Sequence, residues 1–148
     1  MIDIRYATEA DFDYIYELSS KNSDLLGYVH PMEIRTSITA GKTIVPMVDG
    51  NIAGFCMINL PTTKKAESKL TVQIICVDPE YRGKGLARKM LDFLVNTYQR
   101  HIFTTCVKGT SSDAFWSKVA VKYDEDPGKK RAICRYKIEI KRPGQLID

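Results

Sequence analysis

Long apolar runs are missing from this 148-residue sequence. None approaches the roughly 20 consecutive apolar residues that a membrane-spanning helix needs. No basic-then-apolar leader opens the chain either. A protein that is neither membrane-embedded nor secreted is expected, and with it a cytoplasmic location. Paired metal-ligand motifs are also absent. Cys56, Cys76, Cys106 and Cys134 form no C-x-x-C pair and have no ligand-like histidine nearby, so no metal site is predicted. Cys56, Cys76 and Cys134 sit in apolar stretches, where cysteine acts as a small hydrophobe, and all four are expected to be reduced thiols. An excess of charge of one sign is small too. The 22 basic and 18 acidic residues leave a net +4, which suits an anionic ligand but is too small to argue for nucleic acid. No basic stripe with interleaved aromatics is visible. There is no repeat, linker or low-complexity block.

The remaining composition, 44% hydrophobic and 27% charged, is that of an ordinary globular protein, and the length predicts a single domain over residues 1–148. Ile2–Tyr6 alternates like a half-buried strand. Thr8 and Asp11 have the spacing of an N-cap and its N3 carboxylate, predicting a helix over Glu9–Ser20. A loop follows over Asn22–His30. Pro31 suits a first helical position, and a short helix runs to Gly41. Thr43–Val48 and Ile52–Leu60 read as a hairpin around Asp49-Gly50-Asn51. Pro61–Ser68 is polar and predicts a loop. Leu70–Val77 reads as a strand buried on both faces. Leu86–Tyr98 carries an apolar stripe of Leu86, Met90, Leu91, Leu94 and Val95, and is a helix. A strand over Ile102–Val107, a helix to Lys118 capped at Thr110 or Ser111, a strand starting within Val119–Tyr123, a turn at Asp126-Pro127-Gly128 and a last strand over Arg131–Ile140 complete the order. The tail after Pro143 is expected to be loose. The predicted class is α/β, or α+β: a mixed, mostly antiparallel central sheet of six to seven strands flanked by about four helices. The later strand-helix-strand unit supplies a parallel pair with a right-handed crossover.

The segment Val77-Asp78-Pro79-Glu80-Tyr81-Arg82-Gly83-Lys84-Gly85-Leu86-Ala87-Arg88 carries the chemistry. A buried strand, a short turn with two glycines and an amphipathic helix follow one another directly. Gly83 and Gly85 lack a Cβ, so the backbone can approach a phosphate and adopt positive φ. The helix start offers N–H groups without intrahelical partners and the positive end of the helix dipole. A diphosphate accepts such bonds, and Arg82, Lys84 and Arg88 add positive charge. A G-K-[ST] P-loop is absent, and so is a G-x-G-x-x-G with a later ribose-binding acid.

At these residues the chain resembles the GNAT superfamily of N-acetyltransferases. Arg82-Gly83-Lys84-Gly85-Leu86-Ala87 matches the family's R/Q-x-x-G-x-G/A signature, and Val77–Tyr81 is its usual lead-in. Asp49-Gly50-Asn51-Ile52-Ala53-Gly54-Phe55 looks like the hairpin between its second and third strands. The resemblance runs from Ile2 to Ile140. It implies a GNAT-like acyltransferase fold and acetyl-CoA as co-substrate. It implies that the backbone of Arg82, Gly83, Lys84, Gly85, Leu86, Ala87 and Arg88 binds the coenzyme A diphosphate, and that Ile75, Cys76 and Val77 pair with the pantetheine arm. A backbone N–H near Cys76-Val77 is then the oxyanion donor as an amine attacks the thioester, so that acetyl transfer is direct.

Two family positions differ. Many members carry a Glu base four residues before Val77; this chain has Gln73, which takes no proton at neutral pH but could orient a water or substrate. Many carry a Tyr acid near the C-terminus; here Trp116 stands in Phe115-Trp116-Ser117-Lys118-Val119-Ala120-Val121. The Asn usual seven residues earlier is Gly109. The standard base and acid are therefore missing. Tyr123, Tyr28, His30, Glu33 and the Cys76 side chain are weaker candidates; for His30 a solvated loop residue is the plainer reading, and for Cys76 a small core residue. His101 is expected to be exposed. The Lys64-Lys65 and Lys129-Lys130-Arg131 clusters read as solvated charges. Two functions follow: an acetyl-CoA:amine N-acetyltransferase, or a catalytically weak acyl-CoA-binding regulatory or partner-binding module. A small amine, a protein amine and an aminoacyl-tRNA all stay open as acceptors, and so does a homodimer.

Overall fold

The structure is a computed structural model and describes residues 1–23, 27–142 and 145–146. The chain divides into two compact units. The first holds Met1–Ile58 and Ile74–Phe93, and the second Asn59–Gln73 and Leu94–Asp148.

The first unit begins with β1 (Ile2–Tyr6), which lies antiparallel to β2 (Thr43–Val48), pairing Ile2 with Val48 and Tyr6 with Ile44. A 3-10 turn over Glu9–Asp11 leads into α1 (Phe12–Lys21). The expected cap is there: the Thr8 N–H donates to Asp11 Oδ2 at 2.8 Å. Asp11 also accepts from Arg5 Nη1 at 2.8 Å and Nη2 at 3.0 Å, tying the cap to β1. Residues 24–26 of the loop expected over Asn22–His30 lie outside the described residues. α2 (Pro31–Thr39) has Pro at its first turn. It ends at Gly41, whose φ of 69° allows Lys42 N–H to reach back to the Ser37 carbonyl at 2.8 Å. Ile15, Ile34, Val45 and Phe55 are fully buried between these helices and the sheet.

The hairpin turns at Asp49 and Gly50, both with positive φ, as a primed two-residue turn requires. Its returning strand is broken. β3 (Asn51–Ile52) and β4 (Gly54–Asn59) flank Ala53. Met47 faces Ile52 while Ile44 faces Cys56, so the return carries one extra residue, a β-bulge. This split is why, among the described residues, the main sheet has eight strands where six to seven are expected. The strand order is β1-β2-β4-β5 in the first unit, with β3 beside β2, and β5-β6-β8-β7 in the second.

β5 (Lys69–Val77) belongs to both units. The expectation that it is buried on both faces holds only in part. Leu70, Val72 and Cys76 are buried, Gln73 is exposed, and Ile74, Ile75 and Val77 are half-buried. Its parallel partner β6 (His101–Val107) is in register with it over Lys69–Thr71. Thr104 Oγ1 donates to the Val72 carbonyl at 2.9 Å just beyond. α3 (Leu86–Tyr98) buries the predicted stripe: Leu86, Met90, Leu91, Leu94 and Val95 are all buried.

In the second unit α4 (Ser111–Val119) is capped by Thr110, whose hydroxyl accepts from Asp113 N–H. β7 (Val121–Asp126) pairs with β8 (Ile133–Ile138), and β8 pairs with β6, both antiparallel. Arg100 Nη1 donates to the carbonyls of Pro61 and Lys69 and so closes the polar segment expected over Pro61–Ser68. The last strand is shorter than the expected Arg131–Ile140. It stops at Ile138, and Ile140–Arg142 (β9) pairs instead with Gln145–Leu146 (β10). Those two residues of the tail are therefore paired rather than loose; residues 143, 144, 147 and 148 lie outside the described residues.

Candidate functional site

Asp78 turns the chain out of β5. Its N–H donates to the Ala53 carbonyl at 2.9 Å. Its Oδ1 accepts from the Glu80 N–H at 3.1 Å and caps a 3-10 turn over Pro79–Tyr81. The Tyr81 N–H returns to the Asp78 carbonyl at 2.9 Å. Asp78 Oδ2 accepts from the Tyr14 hydroxyl on α1 at 2.8 Å.

The two glycines follow at once. Gly83 has φ 82° and Gly85 φ 73°, the left-handed region in which a side chain is strained. A Cβ at either would meet no atom within 4 Å. The backbone shape, not crowding, calls for glycine here. The Gly85 carbonyl accepts from Lys89 N–H at 3.0 Å and opens α3. The N–H groups of the helix's first turn then have no intrahelical acceptor. Leu86 anchors this end, buried with Val48 and Ala53. Arg82, Lys84 and Arg88 are exposed around the turn, Arg88 with its Nε 3.7 Å from Asp92. Donors, dipole and cations together form a cradle for a diphosphate, so the residues present fit coenzyme A.

The end of β5 is built by a close approach. A Cβ on Gly54 would stand 2.3 Å from the Cys76 carbonyl oxygen, so only glycine lets the bulge meet this strand. The Cys76 thiol is buried, and burial chiefly pushes it up to about 11. A thiol held there stays protonated at neutral pH, so the side chain is no ready nucleophile.

Ile75, Cys76, Val77 and Arg82–Arg88 thus lie together in the first unit. Gln73 and Trp116 belong to the second. Trp116 is 2% exposed and packs edge-on against Phe115 with ring centroids 5.3 Å apart. Gly109, where the family resemblance expects Asn, donates its N–H to Asp113 Oδ2 at 2.8 Å, and Asp113 also accepts from the Tyr136 hydroxyl. His30 is exposed and caps α2, its Nδ1 accepting from Met32 N–H at 3.0 Å. Tyr28, Glu33, Tyr123 and both basic clusters are exposed. His101 differs from expectation. It is half-buried and accepts from Ile140 N–H at 3.0 Å.

Tyr14 and Gly54 are the site residues that reading the sequence for chemistry passes over. Gly54 had a signal: a lone glycine inside a strand pattern marks a bulge or a close backbone approach. Tyr14 had none, because its partner is 64 positions away.

Among the described residues no group of three or more His, Cys, Asp or Glu could hold a metal ion, and no helix is long and apolar enough to cross a membrane. A strand, a two-glycine turn and a cationic helix start on this mixed sheet define a class, the acetyl-CoA-dependent acetyltransferases. A family model described as Acetyltransferase (GNAT) family matches residues 8–119. The chain belongs to that family. Solved structures share the fold at low identity. An acetyltransferase of the GNAT family from Bacillus cereus ATCC 10987 aligns over 100% of this chain and 99% of its own, with TM-score 0.73 and 17% identity. yncA from Salmonella typhimurium, solved with its cofactor acetyl-CoA, aligns over 96% and 97%, with TM-score 0.73 and 16% identity. Ard1 from Thermoplasma volcanium aligns over 99% of each chain, with TM-score 0.76 and 14% identity. No curated protein matches the chain.

Proposed function

We propose that this acetyltransferase moves the acetyl group of acetyl-CoA directly to an amine, holding the coenzyme through the Arg82–Arg88 turn and the end of β5. The observation that carries this reading is the turn itself: two glycines at positive φ, the open start of α3 and three exposed cations. The backbone N–H groups of Arg82–Arg88 bind the diphosphate. The edge of Ile75–Val77 pairs with the pantetheine arm. An N–H near Cys76-Val77 faces the thioester carbonyl and stabilises negative charge on that oxygen during attack. The new C–N bond forms as the C–S bond breaks, and the amine loses one proton while the departing sulfur gains one.

Neither proton has a standard side chain waiting. Gln73 takes no proton at neutral pH, and the buried Trp116 indole is no useful acid. The chain therefore contributes chiefly orientation and a preformed oxyanion donor, and water or the amine's own ionisation handles the protons.

Two measurements test this. Thiol release from acetyl-CoA is followed across small amines, peptides with free N-termini and aminoacyl-tRNA; at least one should turn over. Tight coenzyme binding with no turnover on any of them would favour a catalytically weak acyl-CoA-binding module instead. Gly85→Asp, which places a strained, negatively charged side chain where the phosphates bind, is expected to abolish coenzyme binding in calorimetry. Unchanged affinity would move the coenzyme site elsewhere.

A further inference from the structure

We propose that Tyr14 is a positioning residue for the coenzyme turn: its hydroxyl fixes the Asp78 carboxylate and, through it, the path of the backbone into Arg82–Arg88. The inference rests on the assignment of that turn to the coenzyme.

Residues 82–85 are exposed, and a Cβ added at Gly83 or Gly85 would meet no atom within 4 Å. Side-chain packing therefore does not hold this segment. Its shape is set at its two ends. Leu86 is buried and secures the helix end. Asp78 secures the strand end with a hydrogen bond to Ala53, one from Glu80 and one from Tyr81. Its remaining carboxylate oxygen is taken by Tyr14 at 2.8 Å. That bond links the turn to α1, which is set in the core by Phe12, Ile15 and Leu18. Hydrogen bonds to a charged acceptor are among the stronger ones, and this one spans 64 positions.

The role is orientation rather than proton transfer. Burial first, and then the Asp78 carboxylate, push the Tyr14 phenol far above its usual range. The group stays an O–H donor at any working pH. Phe at this position keeps the ring and removes only the donor. Asp78 then swings on its backbone, and the N–H groups of the turn lose their convergence on the diphosphate.

The test is a double-mutant cycle on coenzyme A affinity. Calorimetric titrations are run well below each variant's melting temperature, so that only folded protein is titrated. Tyr14→Phe should weaken coenzyme A binding about 3- to 10-fold, the scale of one hydrogen bond. Asp78→Ala should weaken it at least as much, and the double variant should be no weaker than Asp78→Ala alone. Asp78→Asn, whose amide can accept from Glu80 and donate to the Tyr14 oxygen, should retain most of the affinity.

Losses that multiply in the double variant overturn the proposal. So does a Tyr14→Phe protein that melts earlier yet binds coenzyme A as the parent does, because that marks a purely structural residue. Gly85→Asp is titrated alongside. If it abolishes binding while Tyr14→Phe changes nothing, the role of Tyr14 falls and the coenzyme turn stands. If Gly85→Asp binds normally, the turn is not the coenzyme site and both assignments fall.

Discussion

Gly54 and Gly85 are required for different physical reasons within the first unit. Gly85 sits in open space and is needed for its φ of 73°. Gly54 is needed for room, since a methyl group there would be 2.3 Å from the Cys76 carbonyl oxygen. The backbone must shift to accept it. Gly54→Ala is therefore expected to cost about 1–3 kcal/mol of stability, as overpacking does, and to weaken coenzyme binding as well, because the atom displaced belongs to the strand proposed to meet the pantetheine arm. Urea denaturation and calorimetry on the same protein check both halves. Loss of stability with full affinity would show that the end of β5 does not contact the coenzyme. Trp116 illustrates the reverse case. A family pattern places it where an acid usually stands, and the structure buries it against Phe115.

At the scale of elements, the best-read segments were those whose own chain carries both the period and the ends. α3 declared itself by its stripe and by the glycines before it, and all five stripe residues are buried. The start of α1 was legible in Thr8 and Asp11, although the first turn is 3-10. What the pattern did not show is that Asp11 serves two masters. The Arg5 guanidinium foremost, and then the Thr8 N–H, hold its carboxyl below the ordinary 3.8. A folded-state value below the unfolded one means that the contribution is complete above 3.8 and is lost as the pH falls through the depressed value. Asp11→Asn should thus lower stability near neutral pH and flatten the acid limb. Denaturant midpoints measured down to about pH 2 give the comparison; an acid limb as steep as the parent's would show that the pairing with Arg5 contributes little. The hairpin was read as two strands, but its return is split at Ala53, because the register of the bulge depends on β2 and β5 together.

For the whole molecule, coenzyme binding and folding are linked. A ligand that binds only the folded chain adds about 2.7 kcal/mol at one hundred times its dissociation constant. For a protein of this size that corresponds to a rise of roughly 5–11 °C in melting temperature. Acetyl-CoA is expected to produce such a shift in the parent chain and none in Gly85→Asp. A parent melting temperature unmoved by saturating acetyl-CoA would refute the coenzyme site as a whole. The net charge of +4 and the exposed Arg82, Lys84 and Arg88 favour the anionic ligand through screened charges, so the shift should shrink as salt is raised.

Local chemistry determined the order of elements, the two-glycine turn and its flanking cations from sequence alone, since each depends on residues a few positions apart: a period, a cap, a positive φ. The family likeness then named the coenzyme, and Gln73 and Trp116 stand where that likeness places a Glu and a Tyr. Tertiary structure decided what depends on distant partners. It placed Tyr14 on Asp78, brought Gly54 against Cys76, buried Trp116 and turned His101 to Ile140. The contacts of Tyr14, Gly54 and His101 join segments that no local pattern connects, because the free energy that brings such segments together comes from burying Ile15, Ile34, Phe55 and Leu86 in the first unit and Ile102 and Trp116 in the second.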